Sequence, residues 1–399
     1  MHFGFDEQQE MLRSTAISFL NKECTESLVR EMELSSTGHS LELWGKMAEL
    51  GWLGIPFPEK YGGGEGSMLD LVVLFEEMGR FMCPVPYLST VVLCGLAILR
   101  AGNERQKSEF LKKISEGNLI LALALTERDV TIDPSGIEVR ATQDKDEFII
   151  DGTKIFVHDA CVADYILCVV RTTAATSFSD GISLFLVERS SPGLRCEQLR
   201  TVSGDKQCEI TFDKVSVPKE NLVGELHGGW PAIAKVIQIG AVLLCGQMIG
   251  AGQRMLEMSV EHAKTRVQFD QYIGVNQHVQ EHCIDIFTRV NGSRNVTYKA
   301  AWKLNEGLPC DVEVAIAKAW TSDAHELVCR SAHSIFGGSG YTYDSTLPLI
   351  SRRGKVAQLY LGDSAYYRKK IAESMRTWTL EMPKGQPLGI WDNNLIELV

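Results

Sequence analysis

Apolar residues recur at three- and four-residue spacing along the first part of the chain. The pattern is clear in Met11–Leu20, Leu43–Leu50 and Leu69–Met78. It predicts amphipathic helices, each with one buried face. Asn103 precedes a further helical stretch and is expected to cap it. We therefore expect an N-terminal α-helical domain over residues 1–120.

The pattern changes at about Leu121 to short runs rich in β-branched residues. Turn residues such as Asp151-Gly152 separate these runs, and they predict strands of a barrel or sandwich. We expect a middle β-barrel domain over residues 121–222. The runs are Ile137–Ala141, Glu147–Asp151, Lys154–His158, Tyr165–Arg171, Ile182–Glu188 and Cys208–Phe212.

The helical period returns after Pro218 and Gly224. The long periodic stretches predict a four-helix-bundle domain over residues 223–399. The expected fold class is α+β, mostly α. The predicted helices are Trp230–Lys264, Val275–Leu304, Glu313–Ser334 and Val356–Thr379.

Composition limits the kind of partner. A total of 40 basic and 51 acidic residues gives a net charge of -11, which argues against nucleic acid and against a basic membrane-binding face. The longest apolar stretch, Val236–Gly252, contains Gln238 and Gln247 and is expected to be a buried bundle helix. The first residues lack a signal-peptide pattern, so we expect a cytoplasmic protein. The 11 scattered cysteines predict reduced thiols and no metal site.

The richest motif lies near the C-terminus. Phe336-Gly337-Gly338-Ser339-Gly340-Tyr341-Thr342, followed by Tyr360-Leu361-Gly362-Asp363, resembles the C-terminal signature of the acyl-CoA dehydrogenases. The resemblance implies FAD bound between subunits, an acyl-CoA substrate, a carboxylate that abstracts the α-proton, and electron-transferring flavoprotein as the acceptor. Leu361, however, stands where the family carries its glutamate. Gly240 stands at the position that some relatives use instead.

The flavin site of this family is built from two chains, and the half donated to the neighbouring subunit matches well. Arg266, Phe269 and Gln277 correspond to the family's Arg-x-x-Phe motif and its following glutamine, and Gly337-Gly338 to its glycine turn. Arginine suits a pyrophosphate because its planar fork makes paired, charge-assisted hydrogen bonds. This half departs from the pattern at Asp270 and Ser334.

The half that the family takes from its own β domain matches poorly. Thr126 is present, but the glycines that usually follow it are replaced in Glu127-Arg128-Asp129-Val130. Phe156 and His158 stand where the family has a tryptophan and a threonine beside the flavin. Asp363 replaces a threonine that usually touches FAD, and its charge would repel a pyrophosphate. Asp363 is also a good helix cap, and we favour that role for it.

Three hypotheses follow. The chain is a β-type subunit of an α2β2 acyl-CoA dehydrogenase whose homologous partner supplies the glutamate, as in bacterial steroid side-chain and ring-carboxylate degradation. Alternatively, it is a self-sufficient homotetramer, or a related flavoenzyme, with its base relocated to Asp363, His158 or Asp159. The third hypothesis is a structural or regulatory relative that completes no site.

Overall fold

The N-terminal part of the chain is helical, as the periodicity predicts. A computed structural model describes residues 5–173 and 179–376. Asp6, Thr25, Ser40 and Ser67 cap the first four helices by accepting a backbone N–H in the first turn. These helices are α1 (Glu7–Glu23), α2 (Glu26–Leu34), α3 (Leu41–Glu49) and α4 (Met68–Arg80).

Between α4 and the β domain the helices are short and partly of the π type. A π-helical segment, Leu88–Gly95, continues into α5 (Leu96–Ala101). The next helix starts at α6 (Glu104–Gln106), passes through a second π segment and ends with α7 (Lys112–Ser115). Asn103 forms a capping box with Gln106, which confirms the predicted cap. The first π segment contributes to the site described below.

The middle of the chain forms one sheet of eight strands. The order along the sheet is β6-β7-β3-β2-β4-β5-β8, and β1 pairs with β4 in parallel. The strands are β1 (Leu121–Ala124), β2 (Arg140–Asp144), β3 (Glu147–His158), β4 (Tyr165–Arg171), β5 (Ile182–Glu188), β6 (Leu194–Gln198), β7 (Gln207–Pro218) and β8 (Leu222–Val223).

The predicted strand boundaries need several corrections, among them that β7 continues past the predicted end at Phe212 to Pro218. Strand β3 is continuous, because Gly152 adopts φ 135° at a register shift instead of ending the strand in a turn. Strand β2 begins at Arg140 and not at Ile137. Strands β1, β6 and β8 were not predicted. Strand β1 is buried throughout and carries no alternation.

The sheet is strongly curled. Phe148 on β3 and Phe185 on β5 are separated by β2 and β4 in the sheet order, yet their ring centroids lie 4.8 Å apart. In a flat sheet three strand spacings would separate them by roughly 14 Å. The curling encloses an apolar interior between the strands, as expected of a barrel-like domain.

The C-terminal part is a helical bundle. The hairpin between the first two bundle helices consists of β9 (Val267–Gln268) and β10 (Gln271–Tyr272). The helices are α8 (Trp230–Thr265), α9 (Gln277–Asn305), α10 (Asp311–Phe336), α11 (Thr346–Leu359) and α12 (Ser364–Met375). Together with the N-terminal helices and the β domain, the bundle confirms the predicted fold class.

One bundle prediction was wrong. Val356–Thr379 is not one helix, because the chain breaks at Leu361 and Gly362, which have φ values of 57° and 96°. Thr379 lies outside the described residues. The break turns the backbone between α11 and α12 and directs residues 359–363 toward the β domain.

Helix α8 is the centre of the bundle and packs against α4, α9 and α10. By length and composition it is the one helix in the described part of the chain that could cross a membrane. However, 72% of its most apolar window is buried inside the structure. The long apolar stretch Val236–Gly252 is therefore a core segment of the bundle, as predicted.

The α11–α12 junction is fixed by a buried lysine. Nζ of Lys318 on α10 donates to the carbonyl oxygens of Ala357, Gln358 and Gly362, each at 2.9 Å. Two of these carbonyls end α11, where they lack helical partners. Burial lowers the pKa of Lys318 to about 8. The hydroxyl of Tyr367 also donates to the Leu361 carbonyl, at 2.8 Å.

We expect Lys318→Met to lower the free energy of unfolding by about 3 kcal/mol, because it leaves buried carbonyls without donors. Urea unfolding followed by fluorescence measures the change. Lys369→Met, at an exposed lysine on α12, is the control and should change stability by less than about 0.5 kcal/mol. Equal effects of the two substitutions would contradict the anchoring role of Lys318.

Candidate functional site

A cavity of about 620 Å³ lies between the β domain and the α11–α12 junction. This volume is within the range of small-molecule sites. The β domain contributes Thr126, residues 129–132, Phe156, His158 and Gln207, and the helices contribute Val356, residues 359–363 and Tyr366. Thr126, Phe156, His158, Leu361 and Asp363, all singled out from the sequence, are therefore brought together on one cavity.

Phe156 lies on the cavity wall. Its φ is 54°, unusual for an aromatic residue, and 41% of its surface is exposed. The pairing of β3 with β7 shifts register between Lys154 and Val157, so the strand bulges at this point. If the side chains of β3 alternated strictly, Phe156 would not face the cavity. The bulge turns it toward the cavity.

A buried ion pair holds the chain next to Thr126 in place. Nζ of Lys154 lies 2.6 Å from Oε1 of Glu127 and also donates to the Leu125 carbonyl at 3.1 Å. The Glu127 carboxylate accepts the backbone N–H groups of Glu138 and Val139. Thus Glu127 and Lys154 have structural partners, and they fix the segment after β1 from which Thr126 reaches the cavity.

His158 forms a cavity wall together with Tyr360. Their rings lie 4.0 Å apart, inclined by 31°. Nδ1 of His158 is 3.6 Å from Oδ2 of Asp205. Burial raises the pKa of Asp205, but the interaction with His158 and hydrogen bonds from Ser203 and Gln207 outweigh burial, so its pKa is lowered overall. An ionised Asp205 therefore orients the imidazole.

Asp159, the neighbour of His158, points elsewhere. Its Oδ2 accepts a 2.5 Å hydrogen bond from the hydroxyl of Ser89 on the first π segment, and it is not among the cavity-lining residues. Burial raises its pKa, partly offset by this hydrogen bond. Asp159 connects the β domain to the N-terminal helices, and its position does not suit a base acting in the cavity.

Asp363 caps α12. Its Oδ1 accepts the backbone N–H of Tyr366 at 2.8 Å, which confirms the favoured interpretation from the sequence. Asp363 also lines the cavity. The cap keeps the carboxylate at the first turn of the helix, where it is favourably placed toward the helix dipole.

Leu361 and Gly240, the two positions that the sequence motif aligns with the family's glutamate, are in contact. Leu361 is 2% exposed, and a Cβ built on Gly240 would lie 2.6 Å from its Cδ1. The same Cβ would lie 3.0 Å from Cδ2 of Leu93 and 3.7 Å from Cδ1 of Leu88. Apolar side chains from the π segment and from the α11–α12 junction therefore fill this place.

The hairpin after α8 projects from the molecule. Phe269 and Asp270 form its two-residue turn, with φ values of 52° and 61°, as in a type I′ turn. Phe269 is 95% exposed. Arg266, which precedes the hairpin, and Gln277, which begins α9, are exposed as well.

The glycine turn lies close to this hairpin. The rings of His262, near the end of α8, and Phe336, at the end of α10, stack at 4.2 Å and 10°. Gly337 and Gly338 follow Phe336 directly and are exposed, with no atom within 4 Å of a Cβ built on either. The residues Arg266, Phe269, Gln277, Gly337 and Gly338 thus form one exposed end of the bundle, named here the hairpin surface.

Some lining residues were missed by the sequence reasoning. Gln207 donates from Nε2 to Oδ2 of Asp205 at 2.6 Å, and Tyr366 donates its hydroxyl to Asp133 at 2.9 Å. Tyr366 could have been predicted as a lining residue, because it lies three residues after Asp363, which the sequence identifies as a helix cap. Gln207 carried no signal, since its place depends on the pairing of β7 with β3.

Comparisons with known proteins agree over nearly the whole chain. Family models for the N-terminal, middle and C-terminal domains of acyl-CoA dehydrogenases match residues 6–118, 122–215 and 227–376. An acyl-CoA dehydrogenase of Bacillus subtilis is 31% identical over 372 residues, covering 92% of this chain and 97% of the relative. A short-chain-specific acyl-CoA dehydrogenase of Megasphaera elsdenii is 33% identical over 80% of this chain and 86% of the relative.

Solved structures give the same result. Butyryl-CoA dehydrogenase from Megasphaera elsdenii superposes with a TM-score of 0.87 at 29% identity, covering 94% of this chain and all of that one. A chain of the ChsE4-ChsE5 complex from Mycobacterium tuberculosis superposes with a TM-score of 0.86 at 26% identity, covering 95% of this chain and all of that one. The chain belongs to the acyl-CoA dehydrogenase family of FAD-dependent oxidoreductases.

Proposed function

We propose that this chain is the flavin-completing subunit of a heteromeric acyl-CoA dehydrogenase, in which a homologous partner supplies the catalytic glutamate. One observation carries the proposal. The place of the family's base is filled by apolar side chains, whereas the hairpin surface is exposed with its charged and aromatic residues unburied. The chain therefore has the parts that complete another subunit's site and lacks the part that performs the proton transfer.

Proton abstraction needs a base within hydrogen-bond distance of the substrate carbon. Neither Leu361 nor Gly240 can accept a proton. Leu88 and Leu93 also lie next to Gly240, so apolar side chains surround both positions. These contacts support the assignment of the acyl-CoA to the partner's site.

The hairpin surface supports the other half of the proposal. An aromatic side chain that is 95% exposed on a turn with positive φ gains no stabilisation within its own chain. Arg266 is exposed on the same element and can make bidentate bonds to a phosphate. The N–H groups at the start of α9, beside Gln277, favour an anion in the same place. We assign Arg266, Phe269, Gln277, Gly337 and Gly338 to the diphosphate end of an FAD bound mainly by the partner.

The cavity of this chain fits FAD only in part. Phe156, Tyr366 and the apolar lining would suit a flat aromatic ring. Asp129 and Asp363 line the same cavity, and two carboxylates disfavour a diphosphate there. When bound, FAD supplies the two-electron acceptor that amino-acid side chains lack. This chain then contributes more to FAD binding through the hairpin surface than through its own cavity.

Known assemblies of relatives are consistent with such partners. The ChsE4-ChsE5 neighbour is a complex of two named chains, and a relative from Acetobacterium woodii is a subunit of a caffeyl-CoA reductase-Etf complex, 30% identical over 92% of this chain. We propose a homologous glutamate-bearing subunit as the partner, in an α2β2 arrangement, and electron-transferring flavoprotein as the electron acceptor.

Arg266→Ala should remove flavin from the complex. The complex is isolated from its native cells through a tag on this chain, and flavin is measured by absorbance against subunit content. Loss of paired phosphate bonds should weaken flavin binding on the order of thirty-fold, and activity should fall in proportion. Lys264→Ala, at an exposed lysine of the same helix end, is the matched control and should leave flavin content unchanged.

The same preparation tests the heteromeric arrangement. The wild-type complex should contain a homologous glutamate-bearing chain and half as many flavins as subunits. The chain expressed alone should be colourless. A chain that binds one flavin per subunit by itself, or an Arg266→Ala complex with full flavin, would refute the proposal.

Leu361→Glu should not create an active enzyme. The new carboxyl would enter the apolar surroundings of Leu88, Leu93 and Gly240, at a cost of about 3 kcal/mol in the free energy of unfolding. Leu361→Gln has the same shape without the charge and is the control. Acyl-CoA-dependent dye reduction and a thermal melt are measured on both variants expressed alone. Substantial turnover by Leu361→Glu alone would mean that the cavity is a complete site.

A second candidate function rests on the fact that Asp363 and His158 both line the cavity. In this alternative the chain is a self-sufficient homotetrameric flavoenzyme with one of them as base. Asp363→Asn separates the two roles of the aspartate, because asparagine caps a helix equally well but cannot accept the proton.

Under the heteromeric proposal we expect Asp363→Asn to leave the activity of the complex unchanged. Asp363→Ala should lower stability by about 1 kcal/mol through loss of the cap. The rate and the flavin content are measured for both variants and for His158→Gln. A hundredfold loss of rate at unchanged flavin content in Asp363→Asn or His158→Gln would favour the self-sufficient enzyme.

A further inference from the structure

One imidazole beside the hairpin surface has no polar partner in its own chain. His262 lies in the last turn of α8 and is half-buried. Every other histidine among residues 5–173 and 179–376 has a ring nitrogen within 3.6 Å of a hydrogen-bond or ion-pair partner. Within those ranges neither ring nitrogen of His262 has one. Both nitrogens are therefore available to another molecule.

The ring of His262 is nevertheless held in one orientation. It stacks on Phe336 with 4.2 Å between the ring centroids and 10° between the planes. Phe336 packs against the core, and its carbonyl accepts the hydroxyl of Ser339 at 2.8 Å. The stack covers one face of the imidazole and leaves its edge, which carries the nitrogens, free. A side chain fixed in this way loses little conformational entropy when it binds a ligand.

The stacked ring connects two parts of the hairpin surface. The backbone N–H of Arg266 donates to the His262 carbonyl at 2.9 Å, and the Arg266 carbonyl accepts the N–H of Ile273 at 2.9 Å. Residues four apart in a helical turn lie on one side of the helix. On the other side of the stack, Phe336 directly precedes Gly337. His262 thus lies next to both the arginine and the glycine turn.

The charge of Arg266 reaches the imidazole. Burial, and after it the charge of Arg266, lower the pKa of His262. A neutral imidazole still carries one N–H group and can donate it. An anion bound by the guanidinium would offer that group an acceptor, and a diphosphate has enough oxygen atoms for both donors.

We propose that His262 is a further residue of the flavin-binding end of this chain, and that its ring N–H donates a hydrogen bond to the same diphosphate as Arg266. Phe336 is a positioning residue, because it holds the imidazole by stacking. The inference rests on the function proposed above, since the FAD in question is the one bound mainly by the partner.

His262→Phe separates the donor from the stack, because phenylalanine keeps an aromatic ring and lacks the nitrogens. The complex is isolated through the tag on this chain, and flavin release on dilution is followed by fluorescence. The dissociation constant of the flavin should rise about ten-fold, because a hydrogen bond to a charged acceptor is lost. A thermal melt should be unchanged. Lys264→Ala, at the same helix end, is the control and should bind flavin as wild type does.

Two outcomes bear directly on the donor role. His262→Ala removes the stack as well as the donor, so it should bind flavin no more tightly than His262→Phe. Wild-type flavin affinity in His262→Phe, with a loss only in His262→Ala, would mean that the ring serves packing alone and would overturn the inference.

A chemical measurement on the wild-type complex needs no activity. Diethyl pyrocarbonate modifies free imidazole nitrogens, and peptide mass spectrometry gives the rate at each histidine. Modification of His262 should be at least about five-fold slower in the flavin-loaded complex than in the same complex stripped of flavin, because the nitrogen is engaged. Exposed His227 lies before the other end of α8, a helix of 36 residues and so about 54 Å long, and its rate should not change. Equal rates at His262 with and without flavin would overturn the inference.

The identity of the partner and the role of His262 are decided by different outcomes. One flavin per subunit on this chain alone would refute the heteromeric arrangement, and the flavin affinity of His262→Phe would then decide the role of His262 in that homomeric site. Half as many flavins as subunits, together with unchanged affinity in His262→Phe, would leave the heteromeric arrangement standing and refute the role of His262.

Discussion

The buried ammonium of Lys318 is the interaction on which the rest of the site depends. Its Nζ donates to the carbonyls of Ala357, Gln358 and Gly362. These bonds end α11 and turn the chain, so that α12 can begin at its Asp363 cap. Without these donors, carbonyls at the end of a helix would be buried unpaired. The turn places Leu361 toward α8 and Asp363 toward the cavity.

The turn also explains the apolar packing around Leu361. Leu361 adopts φ 57°, a conformation that branched or bulky side chains rarely adopt, and its carbonyl is bound by the Tyr367 hydroxyl. The side chain is thereby directed at Gly240, where the absence of a Cβ makes the close approach feasible. Leu361 and Gly240 are complementary: any side chain at Gly240 would collide with the leucine. Leu361 and Gly240 therefore act as one packing unit.

Periodicity predicted the helices well, because a helix that buries one face repeats its apolar residues in every turn. Periodicity failed where tertiary contacts determine the local backbone structure. The break at Leu361-Gly362 depends on Lys318, which lies 43 positions upstream of Leu361, and the bulge that turns Phe156 to the cavity depends on the pairing of β3 with β7. Likewise, Gln207 and Asp205 reach His158 only through that pairing. The family motif located Leu361, Asp363 and the hairpin residues, but it contained no information on what packs against them.

The cavity and the hairpin surface lie on different elements, and this separation has a physical consequence. The cavity is formed by the β domain and the α11–α12 junction, so a change there alters burial and packing within the chain. The hairpin surface is formed by exposed residues at the ends of α8 and α10 and the start of α9, where a substitution costs the folded chain little. Among residues 5–173 and 179–376, the side chains of Arg266 and Phe269 make no hydrogen bond or ion pair that would hold the fold together. Their arrangement on one exposed end, beside two open glycines, is not explained by the stability of this chain.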